Sequence, residues 1–149
     1  MLRSLIAIAA LSLPALAWAD EQCSVEIHGT DQMTFNLNSI SVPASCKTFT
    51  VNLVHPGTLP KNVMGHNWVL TRQADMQAVT EEGAKAGEAH DYIKEGDERV
   101  LAHTRLIGAN EKASVSFDTA LLKTGGPYVF FCSYPFHSMM MKGSVALSS

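Results

Sequence analysis

Cys132, His137 and the run Met139-Met140-Met141 fall within ten residues near the C-terminus. A thiol, an imidazole and a thioether form a soft, mixed donor set for a metal ion. Zinc is better served by four similar bonds from cysteine and histidine. Two histidines, one cysteine and a long axial methionine make instead the trigonal set that suits both oxidation states of copper. The second histidine has to come from elsewhere. His66, in Met64-Gly65-His66-Asn67-Trp68, is the best donor, because it stands just before an apolar-alternating segment and can face a loop at a sheet end. Spacing does not choose among the three methionines, which in such settings often serve as core filler.

The elements that must position these residues read as short strands. Ser24 to His28 alternates Val25 and Ile27 with polar neighbours, and Lys47 to Val54 places Phe49, Val51 and Leu53 on one face. Asn67 to Thr71, Lys112 to Phe117, Tyr128 to Cys132 and Gly143 to Leu147 follow the same two-residue period. Turn signals separate them at His55-Pro56-Gly57, Gly108-Ala109-Asn110 and Gly125-Gly126-Pro127. Many short strands at this spacing predict an antiparallel sandwich or barrel. Gln73 to Ala86 breaks the pattern: rich in Ala, Glu and Gln, it predicts a short helix with Gly87 near its end. Met76 and Val79, three residues apart, can dock that helix on the sandwich wall.

The chain has three cysteines, an odd number that carries information in an exported protein. Export is implied by Met1-Leu2-Arg3, an apolar run from Ser4 to Leu16, and Ala17-Trp18-Ala19 before Asp20. The run is short for a spanning helix, which needs roughly 20 residues. Residues 1–19 therefore read as a secretory signal cleaved after Ala19, leaving one domain, residues 20–149. An oxidising compartment pairs two of the three cysteines. If Cys23 and Cys46 pair, Cys132 is a free thiol, and the closed loop stabilises the fold by roughly 3 kcal/mol.

Loss of Arg3 with the signal takes the formal charge from −3 to −4. A mildly acidic chain with no basic run excludes nucleic acid as a partner. No segment after the signal is apolar enough to span a membrane, so a soluble monomer in the periplasm is expected.

At this level of detail the chain resembles the azurins, type-1 copper proteins with the cupredoxin fold. The Cys-x4-His-x3-Met loop, Asn62 to Leu70, His55-Pro56-Gly57, Ala102-His103-Thr104, Leu106-Ile107-Gly108 and Met141-Lys142-Gly143 carry the resemblance, from about Gln22 to Leu147. It implies an eight-stranded Greek-key β-sandwich with one short helical flap and a Cys23–Cys46 disulfide. It also implies His66, Cys132 and His137 as equatorial copper ligands, Met141 as axial ligand and the Gly65 carbonyl as a weak opposite contact. Asn67 would tie the two ligand loops together through Ser133 or its neighbours, and the backbone N–H groups of Asn67 and Tyr134 would point at the thiolate. Two positions depart from the family: Phe136 replaces a usual glycine and Tyr134 a usual phenylalanine. Phe136 would add apolar cover at the edge of His137 and raise the potential, with Met33 in the same patch. His55 and His103 match family positions near the copper but default to non-ligand histidines, and His55 leaves room for pH coupling.

The implied function is single-electron transfer by one copper per chain. Its partners would be redox proteins such as c-type cytochromes and terminal oxidoreductases, docking briefly on the apolar patch around His137. A copper enzyme would need a second cluster of histidines, for which this domain has none to spare. A copper storage or delivery protein is the alternative, and the methionine triplet is the feature that favours it.

Overall fold

The computed structural model describes residues 22–148, so the signal expected over residues 1–19 lies outside them. Eight strands run in chain order: β1 (Ser24–His28), β2 (Ser39–Pro43), β3 (Thr48–Val54), β4 (Val69–Arg72), β5 (Ala102–His103), β6 (Lys112–Asp118), β7 (Tyr128–Phe131) and β8 (Lys142–Ser148). They form a three-stranded sheet ordered β1-β3-β6 and a five-stranded sheet ordered β2-β8-β7-β4-β5.

Alternation explains how the two sheets face each other. On β3, Phe49, Val51 and Leu53 are buried, and they lie opposite Phe117, Val115 and Ala113 of the antiparallel β6. On β2, Ile40 and Val42 are buried between exposed serines. Trp68 joins the layers: its ring stacks on Phe117 of the first sheet and on Phe130 of the second, with centroids 6.1 and 6.0 Å away. The sandwich expected from the short strands forms with four antiparallel pairings, but β1–β3 and β2–β8 pair in parallel. The chain leaves the first sheet after β1, spends β2 in the second, and returns at β3 pointing as β1 does. Parallel neighbours need such a crossover.

Helix α1 (Lys61–Met64) is a single turn; α2 (Met76–Ala86) is the one substantial helix among the described residues. The segment Gln73–Asp75, included in the expected helix, is a tighter 3₁₀ turn leading into α2. Val79 of α2 packs with Ile93, Val69 and Phe131 in a second apolar cluster, which Met76 joins from the edge. This is why β7 is buried at all four of its residues: Phe130 faces the sandwich interior, and Phe131 faces the helix side. Gly83 allows the close approach of α2 to the following loop, because a Cβ there would lie 2.1 Å from the Tyr92 carbonyl oxygen. Gly87 ends the helix at φ 78°, in the left-handed region that glycine adopts readily.

Cys23 and Cys46 form a disulfide that joins the chain before β1 to the turn before β3. Among the described residues no helix is long and apolar enough to cross a membrane.

Candidate metal centre

Sheet register brings the chemically active residues to one end of the sandwich. Val69 of β4 lies opposite Phe131 of β7, and Phe131 lies opposite Lys142 of β8. The residues just before β4, just after β7 and just before β8 must therefore converge. These are His66 and Asn67, Cys132 and Ser133, and Met141. A backbone bond from Cys132 N–H to the Met141 carbonyl, 3.0 Å, closes the last pair. His137 enters on the 3₁₀ turn His137–Met139, whose approach is anchored by its N–H on the Tyr134 carbonyl at 3.0 Å.

The nitrogen and sulfur donors of His66, Cys132 and His137 lie within 4.8 Å of one another. All three residues are buried, at 0, 0 and 2 % exposure. Cys132 Sγ is 4.0 Å from His66 Nδ1 and 3.6 Å from His137 Nδ1. An ion about 2.1 Å from a nitrogen and 2.3 Å from a sulfur, with a trigonal angle between them, separates those donors by about 3.8 Å. The donor set thus fits one ion at its centre. The Gly65 carbonyl oxygen lies 3.8 Å from the same sulfur. Of the three methionines, Met141 is fully buried, whereas Met139 and Met140 are each 65 % exposed.

Burial sets the protonation of the donors. Desolvation, reinforced by the neighbouring His55 and His137, pushes His66 down to about 3. Desolvation likewise holds His137 at about 4. Both imidazoles are neutral and ready to bind above these values. Burial pushes the Cys132 thiol up to about 12, opposed by the backbone N–H groups of Asn67 and Tyr134, which favour the thiolate. His66 Nε2–H donates to the Thr30 carbonyl at 3.0 Å, which leaves Nδ1 as the nitrogen with a free lone pair.

The loops around the donors are tied together. Asn67 accepts the Ser133 N–H at 2.8 Å and donates to Ser133 Oγ at 2.7 Å and the Asp91 carbonyl at 2.8 Å. The Tyr134 ring lies 4.6 Å from His137 and 5.1 Å from Tyr92, and its hydroxyl donates to the Asn62 carbonyl at 2.9 Å. Phe136 is 75 % exposed, so it supplies little of the cover that buries His137. Its backbone is the more telling feature: at φ 68° it occupies the left-handed region, where a side chain is strained and glycine is not.

Two further groups were out of reach of sequence reasoning. Asp91 contributes only a backbone carbonyl, which no residue pattern marks. Asp31 accepts from His55 Nε2–H at 2.9 Å, and the Thr58 N–H chiefly holds its carboxyl down at about 2. His55 itself is fully buried, with its ring 4.5 Å from that of His66. His103 is exposed on β5 and bonds the Thr104 carbonyl. Met33 is half-buried, also at positive φ.

Comparison with known proteins agrees with this geometry. The profile of copper binding proteins of the plastocyanin/azurin family matches residues 21–148. Azurin of Pseudomonas aeruginosa is 56 % identical over 147 residues, covering 99 % of both chains. Azurin of Pseudomonas denitrificans is 61 % identical over 126 residues, 85 % of this chain and 98 % of that protein. Azurin of Bordetella pertussis is 56 % identical over 140 residues, 94 % and 91 % of the two chains. With a buried His-Cys-His donor set at the end of a β-sandwich and matches over nearly its whole described length, the chain belongs to the copper-binding plastocyanin/azurin family.

Proposed function

We propose that this chain carries single electrons between redox proteins; His66 Nδ1, Cys132 Sγ and His137 Nδ1 would hold one copper ion, with Met141 and the Gly65 carbonyl as further contacts. The observation that carries this reading is the closed trio of buried donors at mutual distances that suit one trigonal ion. When bound, copper supplies one-electron chemistry by cycling between its two oxidation states. The protein does the rest. Burial of the donors keeps water out and disfavours the more highly charged oxidised centre, which raises the potential. Asn67 and the sheet register hold the ligand loops in one arrangement for both states, and outer bonds of this kind orient the ligands. Met141 is the only one of the three methionines turned inward, which supports it over its neighbours as the thioether that would bind.

The remaining surface fits a carrier. Phe136, Met139 and Met140 flank His137 and are exposed, as is Val63 beside Gly65. An apolar patch over the centre suits brief docking with partners such as c-type cytochromes and terminal oxidoreductases. A buried, closed donor set leaves no open position for a substrate, so the chain acts as a carrier rather than an enzyme. Export by residues 1–19, with cleavage after Ala19, places residues 20–149 in the periplasm as a monomer. The exposed thioethers of Met139 and Met140 favour one other reading, copper storage or delivery.

The visible and EPR spectra of the mature protein with Cu(II), beside a Cys132→Ser control, test the assignment. An intense blue thiolate-to-copper band with narrow hyperfine splitting, absent from the control, is the expected result. A pale tetragonal spectrum or no binding overturns it. Retention of copper against a chelator separates the carrier from the delivery protein, which must release its metal.

A further inference from the structure

We propose that Asp31 is a positioning residue for His66: its carboxylate locks the loop whose Thr30 carbonyl holds the His66 ring, and locks the His55 ring beside it. The inference rests on the reading that His66 binds metal through Nδ1. A neutral imidazole carries one N–H, and the partner of that N–H decides which nitrogen is left to bind a metal. For His66 the partner is the Thr30 carbonyl, 3.0 Å from Nε2. That carbonyl must therefore stay where it is.

Gly29 N–H anchors the start of the loop on the Val54 carbonyl at the end of β3, at 2.9 Å, and the bonds within the loop fix its shape. Thr30 N–H donates to the Thr34 carbonyl at 3.0 Å, Met33 N–H to the Thr30 carbonyl at 3.0 Å, and the two threonine hydroxyls meet at 2.7 Å. The ties across to the loop that follows β3 come through Asp31. It accepts the Thr58 N–H at 2.7 Å, the Thr58 hydroxyl at 3.1 Å, the Leu59 N–H at 3.3 Å and His55 Nε2–H at 2.9 Å. Four donors converge on one carboxylate directly after Thr30. His55, held by one of them, has its ring 4.5 Å from that of His66, so a single side chain restrains both the anchor and the neighbour of the imidazole.

The surroundings are shaped to this arrangement. A Cβ on Gly57 would come within 2.2 Å of Asp31 Oδ1 and 2.6 Å of His55 Nε2. A Cβ on Gly29 would come within 2.7 Å of His66 Cδ2. An asparagine at position 31 has one oxygen and one NH₂ group, so at least one of the four donors would face another donor. The loop would then loosen and the Thr30 carbonyl would leave Nε2.

The tautomer of His66 in the metal-free protein reads this directly, through long-range proton–nitrogen spectra of the imidazoles at neutral pH. The native protein should show His66 as the Nε2–H tautomer alone. Asp31→Asn and Asp31→Ala should both populate the Nδ1–H form, and chelator should remove copper from the loaded variants about tenfold faster, the scale of outer-ligand effects. Thr119→Val, which removes a buried hydroxyl bond to the Cys46 carbonyl near the opposite end of β3, is the control. It should lower the melting temperature while leaving the tautomer and the copper EPR spectrum as in the native protein. If both Asp31 variants keep a single Nε2–H tautomer and release copper within about twofold of the native rate, well inside that scale, the proposal is overturned. Should the native chain bind no copper, the metal assignment falls, and the tautomer result alone decides the role of Asp31.

Discussion

Acidifying the protein should weaken copper binding by one proton's worth and no more. Copper requires a thiolate and neutral imidazoles, so every proton on a donor competes with it. Cys132 is held up at about 12, so its thiol is protonated throughout the accessible range and must release one proton per ion bound. That release costs one decade of apparent affinity per pH unit, about two decades between pH 7 and pH 5. His66 at about 3 and His137 at about 4 are still neutral at the lower value. Together they add less than about 0.1 decade. Two ordinary histidines near 6.5 would instead each add about 1.4 decades, for a total fall of nearly five. Competition for Cu(II) against a chelator of known protonation constants, read from the blue band at constant ionic strength, distinguishes two decades from five. A slope that steepens toward three protons on acidification would refute the claim that burial keeps the imidazoles neutral. A flat affinity would refute the raised thiol.

The same neutral histidines predict that the metal-free fold loses stability as pH falls from about 6.5 toward 4, because the unfolded chain takes up protons there and the folded one does not; a melting temperature flat over that range would contradict it. Phe136→Gly should be more stable than Phe136→Ala by about 1 kcal/mol, since both lose the ring but only glycine relieves the positive φ; equal denaturation midpoints would remove the strain argument. Asn67→Ala should cost about 2–3 kcal/mol by orphaning buried groups of Ser133 and Asp91, with a shifted blue band; native stability in urea would show that the loops hold each other without it. Gly83→Ala should destabilise by about 1–3 kcal/mol through overpacking against Tyr92, whereas an exposed helical glycine would gain from the same change.

Much of this molecule was legible in its sequence because the signals are local. Strand alternation needs only neighbouring residues, so β1, β3 and β6 are readable to within a residue or so. The segment from Cys132 to Met141 places a thiol, an imidazole and three thioethers on one short stretch, where chain connectivity alone keeps them close. β2 and β5 escaped the residue pattern because one is bounded by serines and proline and the other is two residues long. The parallel pairing of β1 with β3 and β2 with β8 was also hidden, since pattern reports which face is buried and not which partner lies alongside.

The sequence by itself determined the donor chemistry: which atoms are soft, which loop carries them and that a second histidine, with His66 best placed, has to join from afar. The tertiary structure decided what those atoms experience. Only the register of β4, β7 and β8 brings His66, Cys132 and Met141 to one edge, and only burial separates Met141 from its two exposed neighbours. The positive φ that makes Phe136 costly and the carbonyl of Thr30 that orients His66 belong to the backbone, whose path no side-chain pattern records. Desolvation, which keeps the imidazoles neutral and the thiol protonated, depends on everything packed around a group at once. For that reason it is a property of the fold and not of any stretch of chain.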